Sequence, residues 1–308
     1  MSEEFKTYSP EHTHENFAEK YGRNVRIVNY WNRHAQKESA EGYDPATGQI
    51  SKSGTSKQGF IDSIQFGKKI KASKQGVLRT YVSNIYRTTE TAEGILRGYK
   101  ERNPGAVTRK IVEQERLFNP DIYPNEFWEL YNKKFGENKN QLMVEKGQDP
   151  ADFDKLSPNE QADIAETAEE PVIKEWLRKG SELNTVFDPA EVAKDFGRLF
   201  YFHNVRIPGL LYSGSEIDLM HVSHHAVMEP FLTSGVLIRE KDGKRITSLE
   251  DIERSLYLLE GWKSITEVDA DGKIKLIIEL RGDKYNVDME MLKEMGKPQK
   301  QIVRIKED

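Results

Sequence analysis

Arginines and histidines follow three of the hydrophobic segments of this 308-residue chain, at points where strands are expected to end. Arg33 and His34 come directly after the apolar run 25–31, Arg87 follows a second such run, and His224 follows a later one. Guanidinium groups form bidentate, charge-assisted hydrogen bonds with phosphate, and a positioned imidazole can act as a nucleophile. These residue types therefore predict chemistry on an anion. Taken one at a time, however, each has a simpler interpretation: a surface arginine, or a histidine that caps a strand end.

The elements that must position these side chains alternate between strand and helix. Strands are predicted over the apolar run 25–31, which is expected to end at residues 32–34, and at 77–83, 107–117 and 217–223, with helical patterns between them. The near-continuous apolar run of the first strand is typical of a strand covered on both faces, as in a parallel sheet. This order predicts an α/β fold, in which ligands bind at the carboxyl ends of the strands.

The remaining segments set the expected domain organisation. Segment 118–202 is long and charged, so it is predicted to be an inserted helical layer or lid, with helices that merely cover the sheet edge as the alternative. Ser248–Leu259 is predicted as a helix that Ser248 caps, and Asp271-Gly272 predicts an antiparallel hairpin. We expect a polar arm over residues 1–22 and a single domain over residues 23–308.

The bulk composition excludes several classes of protein. A net charge of -5 argues against a general nucleic-acid binder, and the absence of cysteine excludes disulfides and thiolate zinc sites. The N-terminal residues have no apolar core of the signal-peptide kind, and no stretch has the apolar length of a membrane span. A cytoplasmic location without membrane contact is therefore expected, and the oligomeric state is left open.

Four segments resemble, in the same order, the motifs of the histidine phosphatase (phosphoglycerate mutase-like) superfamily. Arg33-His34-Ala35 resembles its RHG/RHA signature, and residues 49–58, QISKSGTSKQ, are similar to its L-T-x-x-G-x-x-Q segment. Residues 83–92, SNIYRTTETA, closely match S-P-x-x-R-x-x-x-T-A, and residues 221–224, HVSH, resemble the late V-x-S-H segment. The resemblance covers roughly residues 25–117 and 215–280. The expected fold is then a three-layer αβα sandwich with a mostly parallel central sheet, a helical insertion and a C-terminal antiparallel hairpin.

The resemblance implies a phosphomonoester hydrolase that works through a phosphohistidine intermediate. His34 would attack phosphorus, while Arg33, Arg87 and His224 would hold the phosphoryl oxygens in the transition state. An acid would protonate the leaving oxygen, and water would then release phosphate from His34. The implied partner is a phosphorylated substrate of unknown identity, and neither a metal nor an organic cofactor is implied.

Two positions depart from the family pattern. The family acid usually follows the third strand in a leucine-x-glutamate pattern, but Leu117 is followed here by Phe118 and Asn119, and an amide cannot donate a proton as an acid does. We predict Glu115 as the acid; the other candidates are Glu113, Asp121 and Glu126. Lys37 stands three residues after His34, where some members carry arginine or serine, and is predicted either to bind phosphate or to be solvated.

Other functions remain open at the level of the sequence. A phosphoglycerate mutase-type enzyme would pass the phosphoryl group to another substrate instead of water, and a catalytically weak protein would only bind a phosphorylated ligand. The spacing of His221, His224 and His225 also suggests a metal cluster, although no partner carboxylate is evident nearby in the sequence.

Overall fold

The computed structural model describes residues 20–37, 43–44, 49–50, 54–117, 125–180 and 188–298. Most of the predicted N-terminal arm, the predicted alternative acid Asp121 and the C-terminal tail lie outside the described residues. No helix in the described ranges has the length and apolar character that crossing a membrane requires.

Strands and helices alternate in the first part of the chain, and strands dominate its end. The strands are β1 (Val25–Arg33), β2 (Tyr43–Asp44), β3 (Gln49–Ile50), β4 (Val77–Val82), β5 (Val107–Thr108), β6 (Val112–Glu113), β7 (Glu216–Ser223), β8 (Leu237–Arg239), β9 (Gly261–Val268), β10 (Ile274–Leu280) and β11 (Asp283–Val287). The helices are α1 (Lys57–Lys69), α2 (Tyr86–Arg102), α3 (Asn125–Glu145), α4 (Pro158–Lys179), α5 (Pro189–Tyr201), α6 (His225–Leu232) and α7 (Met289–Met295).

The central sheet joins a parallel part to an antiparallel part at β1. Its order is β5-β4-β7-β1-β9-β10-β11-β8, with β6 also paired to β4. The pairs from β5 to β1 are parallel, and those from β1 to β8 are antiparallel. The predicted α/β sandwich with an antiparallel hairpin is thus confirmed, and the hairpin of β9 and β10 continues into β11 and β8.

Helices cover the two faces of this sheet. On one face, a core that includes Ile95 and Tyr99 of α2 packs against Leu78 of β4 and Met220 of β7. On the other face, α5 and α6 pack against β1 through Trp31, whose ring centroid lies 5.1 Å from that of Phe196. Because both faces are buried, β1 carries the apolar side chains that made it recognisable in the sequence.

The carboxyl ends of the three central parallel strands lie at the same level. Arg33 of β1 is the register partner of Ser223 of β7, and Val82 of β4 is the partner of Val222. The residues that follow these strands consequently emerge side by side at one edge of the sheet. Because the three strands end at the same level, residues that are far apart along the chain meet at one site.

Two predicted elements differ from the structure. The predicted strand 107–117 is two short strands followed by a 3-10 turn. The predicted helix Ser248–Leu259 is wrong beyond its first turn, because Glu253 adopts a positive φ of 75° and ends the turn Leu249–Ile252. The predicted cap is present, since Ser248 and Asp251 form a capping box.

The predicted insertion, 118–202, contains α3, α4 and α5, of which α3 and α4 pack as a pair joined by a short 3-10 turn. Met143, Phe153 and Ile164 make a small separate core at one end of the pair. Towards the other end, Ile173 and Trp176 of α4 belong to the main core of the sheet. The insertion is therefore tied to the sheet by buried apolar contacts.

Candidate active site

His34 lies directly after β1 and is only 6% exposed. Its backbone N–H donates to the carbonyl of Ser223 at 3.0 Å, and the next amide, that of Ala35, donates to Thr91 Oγ1 at 3.0 Å. The ring Nδ1 lies 2.6 Å from the carbonyl oxygen of Ala35. Because a carbonyl oxygen can only accept, Nδ1 carries the proton and the neutral ring has its lone pair on Nε2, as a nucleophile requires.

The surroundings of His34 keep its ring neutral. Burial lowers its pKa well below the ordinary value, and the charges of Arg87 and Arg33 lower it further. The hydrogen bond to the Ala35 carbonyl opposes these effects without cancelling them. The lone pair of Nε2 is thus available at neutral pH.

His224 and Arg87 form the wall opposite His34. The ring centroids of the two histidines are 4.9 Å apart, and Arg87 Nη2 donates to His224 Nδ1 at 3.2 Å. Because a guanidinium only donates, Nδ1 of His224 accepts, which directs its Nε2–H to Ser83 Oγ at 3.1 Å. Burial and the charge of Arg87 lower the pKa of His224 well below its ordinary value.

Two guanidinium groups meet at this edge of the sheet. Burial and the charge of Arg33 lower the pKa of Arg87 to about 10. Arg33 itself is 6% exposed and donates through Nη1 to the carbonyl of Leu256 at 2.7 Å. Two neighbouring buried cations repel each other, so the site favours an anion between them.

Glu166 and Glu169 of α4 were not among the predicted site residues, and both reach Arg33. Glu169 Oε2 accepts from Arg33 Nη2 at 3.0 Å, and Glu166 Oε1 lies 3.7 Å from Nη1. The other oxygen of Glu169 accepts from Tyr131 of α3 and lies 3.1 Å from His225 Nε2. No local signal marks these carboxylates in the sequence, because two glutamates three residues apart are common on exposed helix faces.

The predicted phosphate ligand Lys37 is half-buried and forms a β-bridge with Thr55. Its charge contributes to lowering the pKa of Glu169 and of His224. The structure thus places Lys37 within electrostatic range of the site, at its edge.

The predicted acid Glu115 begins the 3-10 turn Glu115–Leu117 and is exposed. Among the described residues, no recorded hydrogen bond or ion pair joins it to Arg33, His34, Arg87 or His224. The alternative Glu113 ends β6 and is also exposed. The predicted assignment of the acid therefore stays a prediction.

His221 lies apart from the suggested histidine cluster. It stacks on Trp31 with ring centroids 3.7 Å apart, and its Nε2 lies 2.5 Å from His203 Nδ1. Both histidines are buried, and burial lowers the pKa of His203 to about 3. This pair belongs to the core beneath the site.

Three buried nitrogen atoms around the site have no hydrogen-bond partner among the described residues: Arg33 Nε, Arg87 Nε and His225 Nδ1. A buried polar group without a partner costs about 1–3 kcal/mol. Such orphaned groups are rare and call for a ligand or another explanation. Two of the three are guanidinium donors of the residues predicted to bind phosphate.

Comparisons with known proteins give matches only among solved structures. No protein-family model matches the chain, and no curated protein matches it. The phosphoglycerate mutase from Bacillus anthracis str. Sterne is 15% identical, with a TM-score of 0.35 over 91% of this chain and 99% of that one. The mycobacterial glucosyl-3-phosphoglycerate phosphatase is 10% identical, with a TM-score of 0.40 over 83% and 97% of the two chains. The phytase from Klebsiella sp ASR1 is 13% identical, with a TM-score of 0.40 over 84% and 82%.

These structures are a mutase and phosphatases, the kinds of protein whose motifs the sequence resembles. Similarity at this level carries no argument about the activity of this chain. The arrangement of Arg33, His34, Arg87 and His224 is the observation on which a function has to be built.

Proposed function

We propose that this protein is a phosphomonoester hydrolase that forms a phosphohistidine intermediate on Nε2 of His34. The observation that carries the proposal is the tautomer of His34, whose Nδ1–H is held by the Ala35 carbonyl at 2.6 Å. This hydrogen bond leaves the lone pair on Nε2 next to His224 and two buried guanidinium groups. The combination provides a nucleophile and anion ligands within one site.

The reaction proceeds in two balanced steps. In the first, Nε2 of His34 forms a bond to phosphorus, the bond from phosphorus to the ester oxygen breaks, and the departing oxygen takes a proton from an acid. In the second, a water oxygen attacks phosphorus while the deprotonated acid takes a proton from that water, the P–N bond breaks, and its electron pair returns to Nε2. Inorganic phosphate leaves and the enzyme is restored.

The cationic side chains act on the transferring group through electrostatics. Arg33 and Arg87 offer Nε–H donors that have no partner among the described residues, and His224 orients Arg87 by accepting from its Nη2. Preorganised donors of this kind stabilise charge that is spread over the equatorial phosphoryl oxygens. His34 supplies the electron pair, so each of the four side chains has a separate role.

The first experiment assays a generic aryl phosphate and traps acid-labile phosphate on the protein. Wild type is expected to turn over the ester and to carry label, whereas His34→Ala is expected to show neither while keeping its circular dichroism spectrum. Turnover that survives in His34→Ala would show that the nucleophile is wrong. If folded wild type gives neither turnover nor label, both the hydrolase and the mutase are contradicted.

Label transfer separates a hydrolase from a mutase. With trapped phosphoenzyme in water, a hydrolase releases inorganic phosphate. A mutase would instead pass the label to an added phosphoglycerate, the acceptor that the alternative reading of the sequence predicts. Transfer to that acceptor in preference to water would replace the proposed hydrolysis by phosphoryl exchange.

Arg87→Ala is the second test, because this guanidinium lies beside both histidines. Loss of one preorganised donor is expected to lower kcat/KM by about 10²–10³-fold. The matched control is Arg97→Ala, because Arg97 lies on the same helix, is exposed and, within the described part of the chain, pairs with Glu101 alone. If both variants lose the same activity, Arg87 has no specific role at the phosphate.

A further inference from the structure

The pair of buried His225 and half-buried Glu169 lies against the predicted phosphate site without a role in the mechanism above. His225 is the first residue of α6 and directly follows His224. It is 7% exposed. Its Nε2 lies 3.1 Å from Glu169 Oε1, and the second oxygen of the same carboxylate accepts from Arg33 Nη2 at 3.0 Å. One carboxylate therefore connects this imidazole to the arginine that precedes the nucleophile.

The carboxylate decides which ring nitrogen of His225 holds a proton. Burial opposes ionisation of Glu169, but the charges of His225, Arg33 and Lys37 hold its pKa well below the usual range. An ionised carboxylate only accepts hydrogen bonds, so Nε2 of His225 carries a proton directed at Glu169. Proton exchange with any other group therefore takes place at Nδ1.

Nδ1 of His225 is buried and has no hydrogen-bond partner among the described residues. A buried imidazole whose one nitrogen is held by a carboxylate, while the other is unpaired, has the arrangement of a base or acid oriented by a third group. The exposed Glu115, predicted as the acid, shows no such arrangement. Glu229 of α6 also has one buried oxygen, Oε2, without a partner among the described residues, but His225 is the group that additionally pairs with Glu169.

We propose that His225, oriented by Glu169 of the insertion, is the acid that protonates the leaving oxygen. The proposal rests on the proposed function, since it assumes phosphoryl transfer to His34. As the ester bond breaks, the imidazolium gives its Nδ1 proton to the departing oxygen and becomes neutral. In the second step, Nδ1 takes a proton from the attacking water, which restores the imidazolium.

The charged and titratable groups around His225 come from four elements. They are Glu169 on α4, Arg33 on β1, His224 at the end of β7, Glu229 one turn further along α6, and Lys37 after β1. Glu229 is fully buried, and burial raises its pKa, although the charges of His225 and Arg33 work in the opposite direction. Glu229 accepts hydrogen bonds from Ser255 and Leu256, so it supports the loop whose carbonyl binds Arg33.

The test compares two substrates that differ in their need for an acid. An alkyl phosphate releases a basic alkoxide, which needs a proton, whereas 2,4-dinitrophenyl phosphate releases a stable phenolate, which does not. His225→Gln keeps a donor for Glu169 but has no transferable proton. The expected result is a loss of about 10²–10⁴-fold in kcat on the alkyl phosphate, with a change of only a few-fold on the dinitrophenyl ester.

Matched carboxylate variants test the role of Glu169 as a positioning residue. Glu169→Gln is expected to show the same substrate-selective loss, to a smaller extent, because the imidazolium loses its counter-charge. Glu166→Gln is the control, since Glu166 lies on the same helix and near Arg33, yet no recorded contact joins it to His225. Glu166→Gln is expected to change both substrates by the same factor.

Several outcomes would overturn the inference. Equal loss on both substrates in His225→Gln would show a structural role, and no loss on the alkyl phosphate would show that His225 donates no proton. A selective loss in Glu115→Gln instead would assign the acid to the strand end. Failure of the proposed function is distinguishable, because His34→Ala would then retain turnover of the dinitrophenyl ester.

Discussion

At the residue scale, the chemistry depends on which nitrogen of each histidine carries the proton. The Ala35 carbonyl fixes the tautomer of His34, and the Arg87 guanidinium fixes that of His224. Both determinants are single hydrogen bonds, of 2.6 and 3.2 Å, in which the partner of the imidazole can only accept or only donate. The same logic applies to His225, where the partner is Glu169.

The lowered pKa of His34 leads to a prediction that does not depend on activity. In an NMR titration of ring carbon-bound protons, His34 is expected to stay neutral as the pH falls from 7.5 to 5.5, well past the ordinary midpoint near 6.5. In Arg87→Gln the midpoint is expected to move upward, because a neighbouring positive charge has been removed. A wild-type midpoint at or above 6.5 would contradict the electrostatic account.

At the element scale, α1 and α2 approach each other closely because glycines face the contact. A Cβ atom at Gly98 of α2 would overlap the carbonyl oxygen of Ile64, and one at Gly67 of α1 would overlap that of Ile95. The first turn of α2 carries Arg87, so this crossing holds the guanidinium in place beside His224. Backbone contact at Gly98 thus helps to fix the position of Arg87, a residue of the candidate site that lies more than ten residues away along the chain.

Gly98→Ala is predicted to destabilise the protein by about 1–3 kcal/mol, because backbone has to move to accommodate the methyl group. Gly136→Ala is the matched change in α3, where a Cβ meets no atom within 4 Å. That substitution is expected to stabilise the protein by up to about 1 kcal/mol through helix propensity. Urea denaturation of the two variants checks both signs, and equal effects would contradict the packing argument.

At the scale of the whole molecule, several histidines are buried at the candidate site and in the core beneath it. The pKa values of four of them, His34, His203, His221 and His224, are lowered by burial first of all. Each is neutral in the folded protein and becomes protonated in the unfolded chain below pH 6.5. Unfolding in mild acid therefore takes up protons, and acid favours the unfolded state.

The free energy of unfolding is predicted to fall between pH 7 and pH 5, because these histidines take up protons in the unfolded chain but not in the folded protein. The sign follows from the lowered folded pKa, because stability is fully present above the unfolded value and is lost below it. His34→Asn is expected to lose less stability than wild type over the same interval. Urea denaturation at both pH values measures the difference, and equal losses in the variant and wild type would contradict a contribution from His34.

Much of the architecture was predictable because it depends on local patterns. The apolar run of β1 indicated a strand buried on both faces, and Asp271-Gly272 indicated the hairpin of β9 and β10. The predicted helix Ser248–Leu259 was wrong beyond its first turn. The N–H of Leu256 donates to Glu229 and its carbonyl accepts from Arg33, so neither group forms a helical hydrogen bond. Propensity cannot anticipate partners so distant in sequence.

The sequence by itself determined the kinds of group that meet at the site: two guanidiniums and two imidazoles at the ends of strands. It could do so because parallel strands in one sheet end on the same side. Only the tertiary structure decided that α4 of the insertion brings Glu169 to Arg33 and His225, more than 50 residues away from either. The physical reason is that burial and ion pairing depend on which elements pack together in three dimensions. The local sequence around Glu169 does not indicate that α4 packs against these two residues.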